Sequence, residues 1–314
     1  MISIVIPIYN AQHSICELVE KTLKVLSGHN PEIILVNDNS EDNSHEECMK
    51  IYNIFSESVS YIRLRKNVGE HNAVMAGLNY AKGDWVLIMD DDFQNPPAEA
   101  LKLIDFAKQN KFDVVYGNYI KKEHSLFRNL GSKLNDLTAN YILNKPRELY
   151  LSSFKCINKS TLREIVKYKG PFPYIDGLIL SVTSNIGKLN LEHSPRKIGK
   201  SNYSFLKLIK LYANISTNFS TVPIHLFSLL GITISLLSSI FGVLIIIERL
   251  FNPETPLGYS SIIVSIFFFS GLQLIFLGLI GEYLGKVLKN VNQEPQYTIK
   301  EEILKKKILI NKFI

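Results

Sequence analysis

Apolar and polar positions follow two alternating rhythms as far as Tyr116. Residues 3–8 form a short β-branched apolar run, closed by Pro7, Tyr9 and Asn10, which predicts a strand. Helical periodicity follows through Ile15, Leu18, Val19, Leu23 and Leu26. A second apolar run, 33–36, stops abruptly in Asn37, Asp38, Asn39 and Ser40. Another helical pattern comes next, then a strand over 59–64 and a loop at 67–70. A helix over 71–81, a strand over 85–89, a helix over 98–109 and a strand over 113–116 continue the series. This alternation predicts an α/β domain with a mostly parallel sheet and helices on both faces. Ligands of such sheets bind outside the carboxyl ends of the strands. Three polar clusters fall at those ends: Tyr9–Asn10, Asp38–Ser40 and Asp90–Asp92.

A different pattern governs the last third. Residues 222–247 contain no Asp, Glu, Lys or Arg, and neither do residues 255–281. Each run exceeds the roughly 20 residues that a helix needs to cross a bilayer. The connector 248–254 carries Glu248, Arg249 and Glu254, with little positive bias. Arg196, Lys197, Lys200, Lys207 and Lys210 precede the first run, while Lys286, Lys289, Lys300 and Lys305–Lys307 follow the second. Positive residues stay on the cytoplasmic side, so a two-helix transmembrane hairpin with both termini cytoplasmic is expected. Between 203 and 221, Phe205, Leu208, Ile209, Tyr212 and Ile215 recur at helical spacing. The pattern fits an amphipathic interfacial helix, with a helix docked on the soluble domain the close alternative. The expected organisation is a soluble domain over 1–202, the amphipathic helix over 203–221, two spans over 222–284 and a cytoplasmic tail over 285–314.

Composition narrows the partners. A net charge of +6 with no concentrated basic arm argues against nucleic acid and fits an anionic membrane surface. The three cysteines, Cys16, Cys48 and Cys156, have neither disulfide nor zinc spacing. The N-terminus lacks the basic lead of a secretory signal and reads as a strand. No GxxxxGK[ST] or GxGxxG loop follows the first strand, which disfavours P-loop and dinucleotide chemistry.

The stretch DDDFQNPP, Asp90 to Pro97, carries the sharpest chemistry. Three adjacent carboxylates at a strand end repel one another, and a bound cation offsets that repulsion. Hard oxygen ligands suit Mg2+ or Mn2+. Along an extended segment Asp90 and Asp92 point one way and Asp91 the other, which assigns the metal to Asp90 and Asp92 with Gln94 on the same side. On the triplet alone, an acidic turn capping the next helix is the competing reading. For His71, at the start of a helix, capping or packing is favoured over catalysis.

SIVIPIYN, ILVNDNSEDNS, NVGEHNAVMAGLNYAKGDWVLIMDDDFQNPP and GEYLGK together resemble family 2 glycosyltransferases of the polyprenyl-phosphate type. The resemblance runs from Ile4 to about Ile299 and includes both apolar spans. It implies a GT-A fold, an inverting mechanism and a divalent metal. The implied reaction moves one sugar from a nucleotide-sugar to undecaprenyl phosphate at the bacterial inner membrane, for cell-surface glycan or lipid A modification. By motif position, Pro7, Tyr9 and Asp38 line the nucleotide pocket, and Asp90, Asp92 and Gln94 hold the metal on the donor diphosphate. Arg128 and Ser132 meet the acceptor phosphate, and Arg196 reaches the phosphates, with Lys200 a substitute for a family lysine. Homo-oligomers occur in the family, so self-association is a further expectation.

The chain departs from the family pattern at Ala11, Asn37, Asn39 and Asn202, and has Ser153-Phe154-Lys155 where relatives have an Asp before Phe-Arg. These changes touch nucleotide and acceptor contacts and leave the metal motif intact. A processive polysaccharide synthase is a rival reading, but it needs a QxxRW motif, and Trp85 is the sole tryptophan. An inactive scaffold of the same fold is the other, and intact Asp90, Asp92, Gln94, Arg128 and Arg196 argue against it.

Overall fold

A computed structural model describes residues 1–93, 95–119, 149–191 and 258–306, with helical residues at intervals between Leu229 and Phe251. The chain divides into two compact units, one of Met1–Tyr203 with Gln293–Ile314 and one of Ser204–Asn292.

The first unit is built around one sheet. In chain order its elements are β1 (Ile2–Ile8), α1 (Ile15–Val25), β2 (Pro31–Asn37), α2 (Ser44–Ile54), β3 (Val59–Leu64), α3 (Glu70–Tyr80) and β4 (Trp85–Ile88). Then come α4 (Ala98–Gln109), β5 (Val114–Tyr119), β6 (Lys155–Asn158), α5 (Lys159–Ile165), α6 (Ile175–Val182), β7 (Ile186–Leu191) and, after the second unit, β8 (Ile299–Ile303). The eight strands lie in the order β7-β5-β6-β4-β1-β2-β3-β8. The expected parallel pairing holds for β1 with β2 and β4, for β2 with β3, and for β5 with β7. The sheet as a whole is mixed, which corrects the mostly parallel expectation: β6 runs antiparallel to both β4 and β5, and β8 antiparallel to β3. An antiparallel strand needs no crossover helix, so β6 fits between two strands already joined through α4.

β1 and β2 read as unbroken apolar runs because both sheet faces are covered. Ile4, Ile6 and Ile8 of β1 pack with Leu18, Ile51 and Leu103 on one side. Val5 packs with Val74, Leu162 and Ile179 on the other, where α3, α5 and α6 lie. α3 sits so close to the sheet that a Cβ on Gly77 would come 2.4 Å from Val5 Cγ1.

In the second unit, α7 (Tyr259–Val291) is a 33-residue helix. Its Phe268–Val291 stretch, with mean hydropathy 1.4, is the one segment among the described residues long and apolar enough to cross a membrane. The helix continues past Gly281 through Glu282 and Lys286, which pair at 3.6 Å one turn apart. The other expected span falls mostly outside the described residues; those described there are helical, with Leu229, Ile232, Leu236 and Ile240 exposed. The 203–221 stretch lies outside them entirely.

Candidate active site

The carboxyl end of β4 delivers the three aspartates. Asp90 is fixed at a single oxygen: its Oδ2 accepts from Asn95 Nδ2 at 3.2 Å and also from Ser153 Oγ. Asp91 turns the opposite way, and its Oδ2 accepts the backbone N–H of Tyr9 at 3.2 Å. Phe93, with φ of 64°, then takes the left-handed conformation that turns the chain towards α4.

A second group of ionisable side chains belongs to the site that motif reading did not assign. Lys155, the first residue of β6, forms a buried ion pair with Asp176 at the start of α6. Tyr116 of β5 donates its hydroxyl to the same Asp176 oxygen at 2.9 Å, and its ring lies 5.0 Å from the lysine nitrogen. Glu70, the first residue of α3, feels Asp90, Asp92 and Asp176 as like charges. Crowding by surrounding protein, followed by the Asp90 charge, pushes its carboxyl up to about 7. Asp91 is likewise pushed up to about 7, chiefly by burial. Burial also raises Asp90, against the hydrogen bonds from Ser153 and Asn95. His71 is driven down to about 4 by burial and stands edge-on to Tyr174 at 5.0 Å, a packing role in keeping with its sequence reading. The signals for Lys155 were its place in the Ser153-Phe154-Lys155 departure from the family pattern and a lone charge opening the strand Lys155–Asn158.

The neighbouring strand ends are latched into a rim. Ser40 Oγ accepts the N–H of Asn10 at 3.0 Å, Asn10 Oδ1 accepts that of Glu41 at 3.0 Å, and Ser44 Oγ accepts that of Ala11 at 2.8 Å. Asn10 and Asn39 have φ of 58° and 54°, left-handed values that asparagine tolerates. Asn37 donates to Tyr61 Oη at 3.0 Å and accepts from Ser40 N at 2.8 Å, so its amide does what an unprotonated Asp could not. Asp38, 3% exposed, accepts the N–H groups of Val68 and Gly69 with separate oxygens, each at 2.8 Å. It thereby holds the turn into α3, where Gly69 has φ of 90°. Pro7 is buried within β1, while Tyr9 is exposed just beyond it. Gln94, Arg128, Ser132, Arg196 and Lys200 lie outside the described residues.

Among the described residues no three His, Cys, Asp or Glu side chains converge as an all-protein metal cage. A cation that keeps waters and completes its shell with substrate phosphates needs only one or two protein carboxylates. Asp90 Oδ1 suits that role, since among the described residues both hydrogen bonds to this carboxylate fall on Oδ2.

This mixed α/β sheet, with its carboxylates at the end of β4, has a GT-A-like fold. Residues 3–166 match the glycosyl transferase family 2 model, and the chain belongs to that family. It is 33% identical over 310 residues to an undecaprenyl-phosphate 4-deoxy-4-formamido-L-arabinose transferase of Yersinia pestis, covering 96% of this chain and 93% of the relative. The same figures hold for the enzyme of that name from Yersinia pseudotuberculosis, at 33% over 310 residues. Among solved structures, glucosyl-3-phosphoglycerate synthase from Mycobacterium tuberculosis, in complex with Mn2+, UDP and phosphoglyceric acid, matches with a TM-score of 0.52. At 15% identity, covering 69% of this chain and 76% of that one, the match speaks for the fold alone.

Proposed function

We propose that this glycosyltransferase moves one sugar from a nucleotide-sugar donor onto undecaprenyl phosphate at the cytoplasmic face of a bacterial membrane. The observation that carries this reading is the 33% identity to undecaprenyl-phosphate sugar transferases, which spans 96% of the chain and therefore the apolar segments as well as the catalytic unit.

In this reading Asp90 and Asp92, with Gln94, hold Mg2+ or Mn2+ on the donor diphosphate. The ion would neutralise charge on the departing nucleoside diphosphate. Tyr9 and Pro7 border the nucleotide, and Asp38 acts by fixing the 68–69 turn at the pocket's edge. Arg128 and Ser132 orient the acceptor phosphate, while Arg196 reaches the phosphates and Lys200 stands in for a family lysine. A phosphate oxygen attacks the anomeric carbon as its bond to the diphosphate breaks, with inversion. The acceptor is already anionic near neutral pH, so positioning matters more than proton abstraction. The chain leaves the catalytic unit after Tyr203 and rejoins it at Gln293. Both flanks of the apolar unit therefore belong to one folded body, which supports an even number of crossings and a hairpin with cytoplasmic ends.

The test is acceptor-dependent release of nucleoside diphosphate by the full chain in detergent. Release should require undecaprenyl phosphate, stop on addition of EDTA, and be lost in Asp92→Asn while the variant keeps its circular dichroism spectrum. Near-normal turnover by Asp92→Asn would contradict the metal assignment.

A further inference from the structure

We propose that Ser153 is a positioning residue for the metal-binding carboxylate: with Asn95 it claims one oxygen of Asp90 and so presents the other to the divalent cation. The inference rests on the metal reading above and assigns a role to a residue that the motifs left without one.

The placement follows from strand register. β6 runs antiparallel to β4 with Ile88 opposite Lys155. Just beyond the paired ends of the two strands, Asp90 follows β4 and Ser153 precedes β6, where the Ser153 hydroxyl meets Asp90 Oδ2. The cross-strand position explains why the hydroxyl reaches Asp90 Oδ2 at all.

Ser153 itself has little freedom. Phe154 on one side is fully buried, and its carbonyl accepts the Gly117 N–H at 2.9 Å. Lys155 beyond it is locked against Asp176 and Tyr116. Asn95, only 2% exposed, approaches the same Asp90 oxygen from the start of the next turn. Two neutral donors on one oxygen fix the carboxylate's rotation without adding charge. A carboxylate at position 153 would instead add a fourth acid beside Asp90, Asp92 and Glu70. The serine therefore adds no further acid to the end of β4, and holds Asp90 still.

Hydrogen-bond partners of metal ligands of this kind typically change metal affinity about 10–100-fold when removed. The probe is Mn2+ alone, with the free ion counted by electron paramagnetic resonance, against the full chain in detergent. Ser153→Ala is expected to weaken Mn2+ binding about tenfold, with Ser153→Thr restoring most of it. In turnover the half-saturating Mn2+ concentration rises in step, while kcat at saturating metal changes far less. Should the alanine variant fail to fold, Ser153→Cys, similar in size with a weaker donor, takes its place and weakens Mn2+ binding in part. Wild-type affinity in a folded Ser153→Ala or Ser153→Cys overturns the positioning role and leaves the metal reading standing. Absence of Mn2+ binding by the wild type overturns both.

Discussion

At the scale of single residues, the site is an accumulation of acid held in place by neutral donors and one buried lysine. At Glu70 the surrounding protein first, and the Asp90 charge second, raise the carboxyl to about 7. A folded-state value above the ordinary carboxylate range means the native protein binds a proton that the unfolded chain has already lost. That contribution is complete below about pH 4.3, the free-chain value, and disappears as pH rises through the folded value of about 7. Glu70→Gln should therefore raise the melting temperature relative to wild type more at pH 8 than at pH 5, without added metal. An equal shift at both pH values would contradict the raised Glu70 carboxyl. The Lys155–Asp176 pair, with side chains 4% and 10% exposed, makes a second prediction. Lys155→Met strands a buried carboxylate and should cost about 3–5 kcal/mol in a urea titration. Adding Asp176→Asn, which keeps an acceptor for Tyr116, should recover much of that loss. Strict additivity of the two changes would show that the pair is not coupled.

At the scale of elements, the first half of the sheet was legible and the second half was not. β1 to β4 are apolar runs ending in polar clusters, and β1, β2 and β3 pair with strands near in sequence. β6 is four residues long and opens on a lysine whose partner, Asp176, is supplied by a helix. β8, Ile-Lys-Glu-Glu-Ile, looks like a solvated tail and acquires its meaning only from β3. Arg65 and Ile299, joined across that edge, are 234 residues apart in the chain. The same distance in sequence hid Ser153 and Lys155: they stood out as departures from a motif, but their contacts depend on where β6 inserts. Asp90 and Asp91 were legible as a cluster because a strand end is marked locally, where apolar residues give way to polar ones. β8 is also fastened beyond its ladder, where Lys305 Nζ lies 3.4 Å from Glu32, a carboxylate 1% exposed. Ser3 Oγ donates to Glu32 at 2.6 Å and Lys82 N at 3.0 Å, so the lysine supplies its only charge partner among the described residues. Lys305→Met is expected to destabilise the catalytic unit by about 1–3 kcal/mol, by the penalty for weakening a buried polar network. Thermal melting checks this, and an unchanged melting temperature would mean that the strap is ornamental to stability.

At the scale of the molecule, the chain threads one catalytic body, passes through an apolar unit and returns to finish the sheet it began. The family 2 glycosyltransferase fold accounts for the first unit, and the 33-residue helix α7 for an apolar element that a purely soluble enzyme has no need to expose. A soluble acceptor would make that helix superfluous to the chemistry, whereas a lipid-borne phosphate gives it a purpose. The central claim is thus the identity of the acceptor, and the most direct measurement is mass spectrometry of the lipid fraction. Purified full-length protein in detergent is incubated with undecaprenyl phosphate, Mg2+ or Mn2+ and a panel of nucleotide-sugars. The account predicts a lipid heavier by one sugar residue joined through a phosphodiester, formed with at least one donor and absent when EDTA is present. Sugar transferred to a soluble phosphate such as phosphoglycerate, with undecaprenyl phosphate unmodified by every donor, would contradict it.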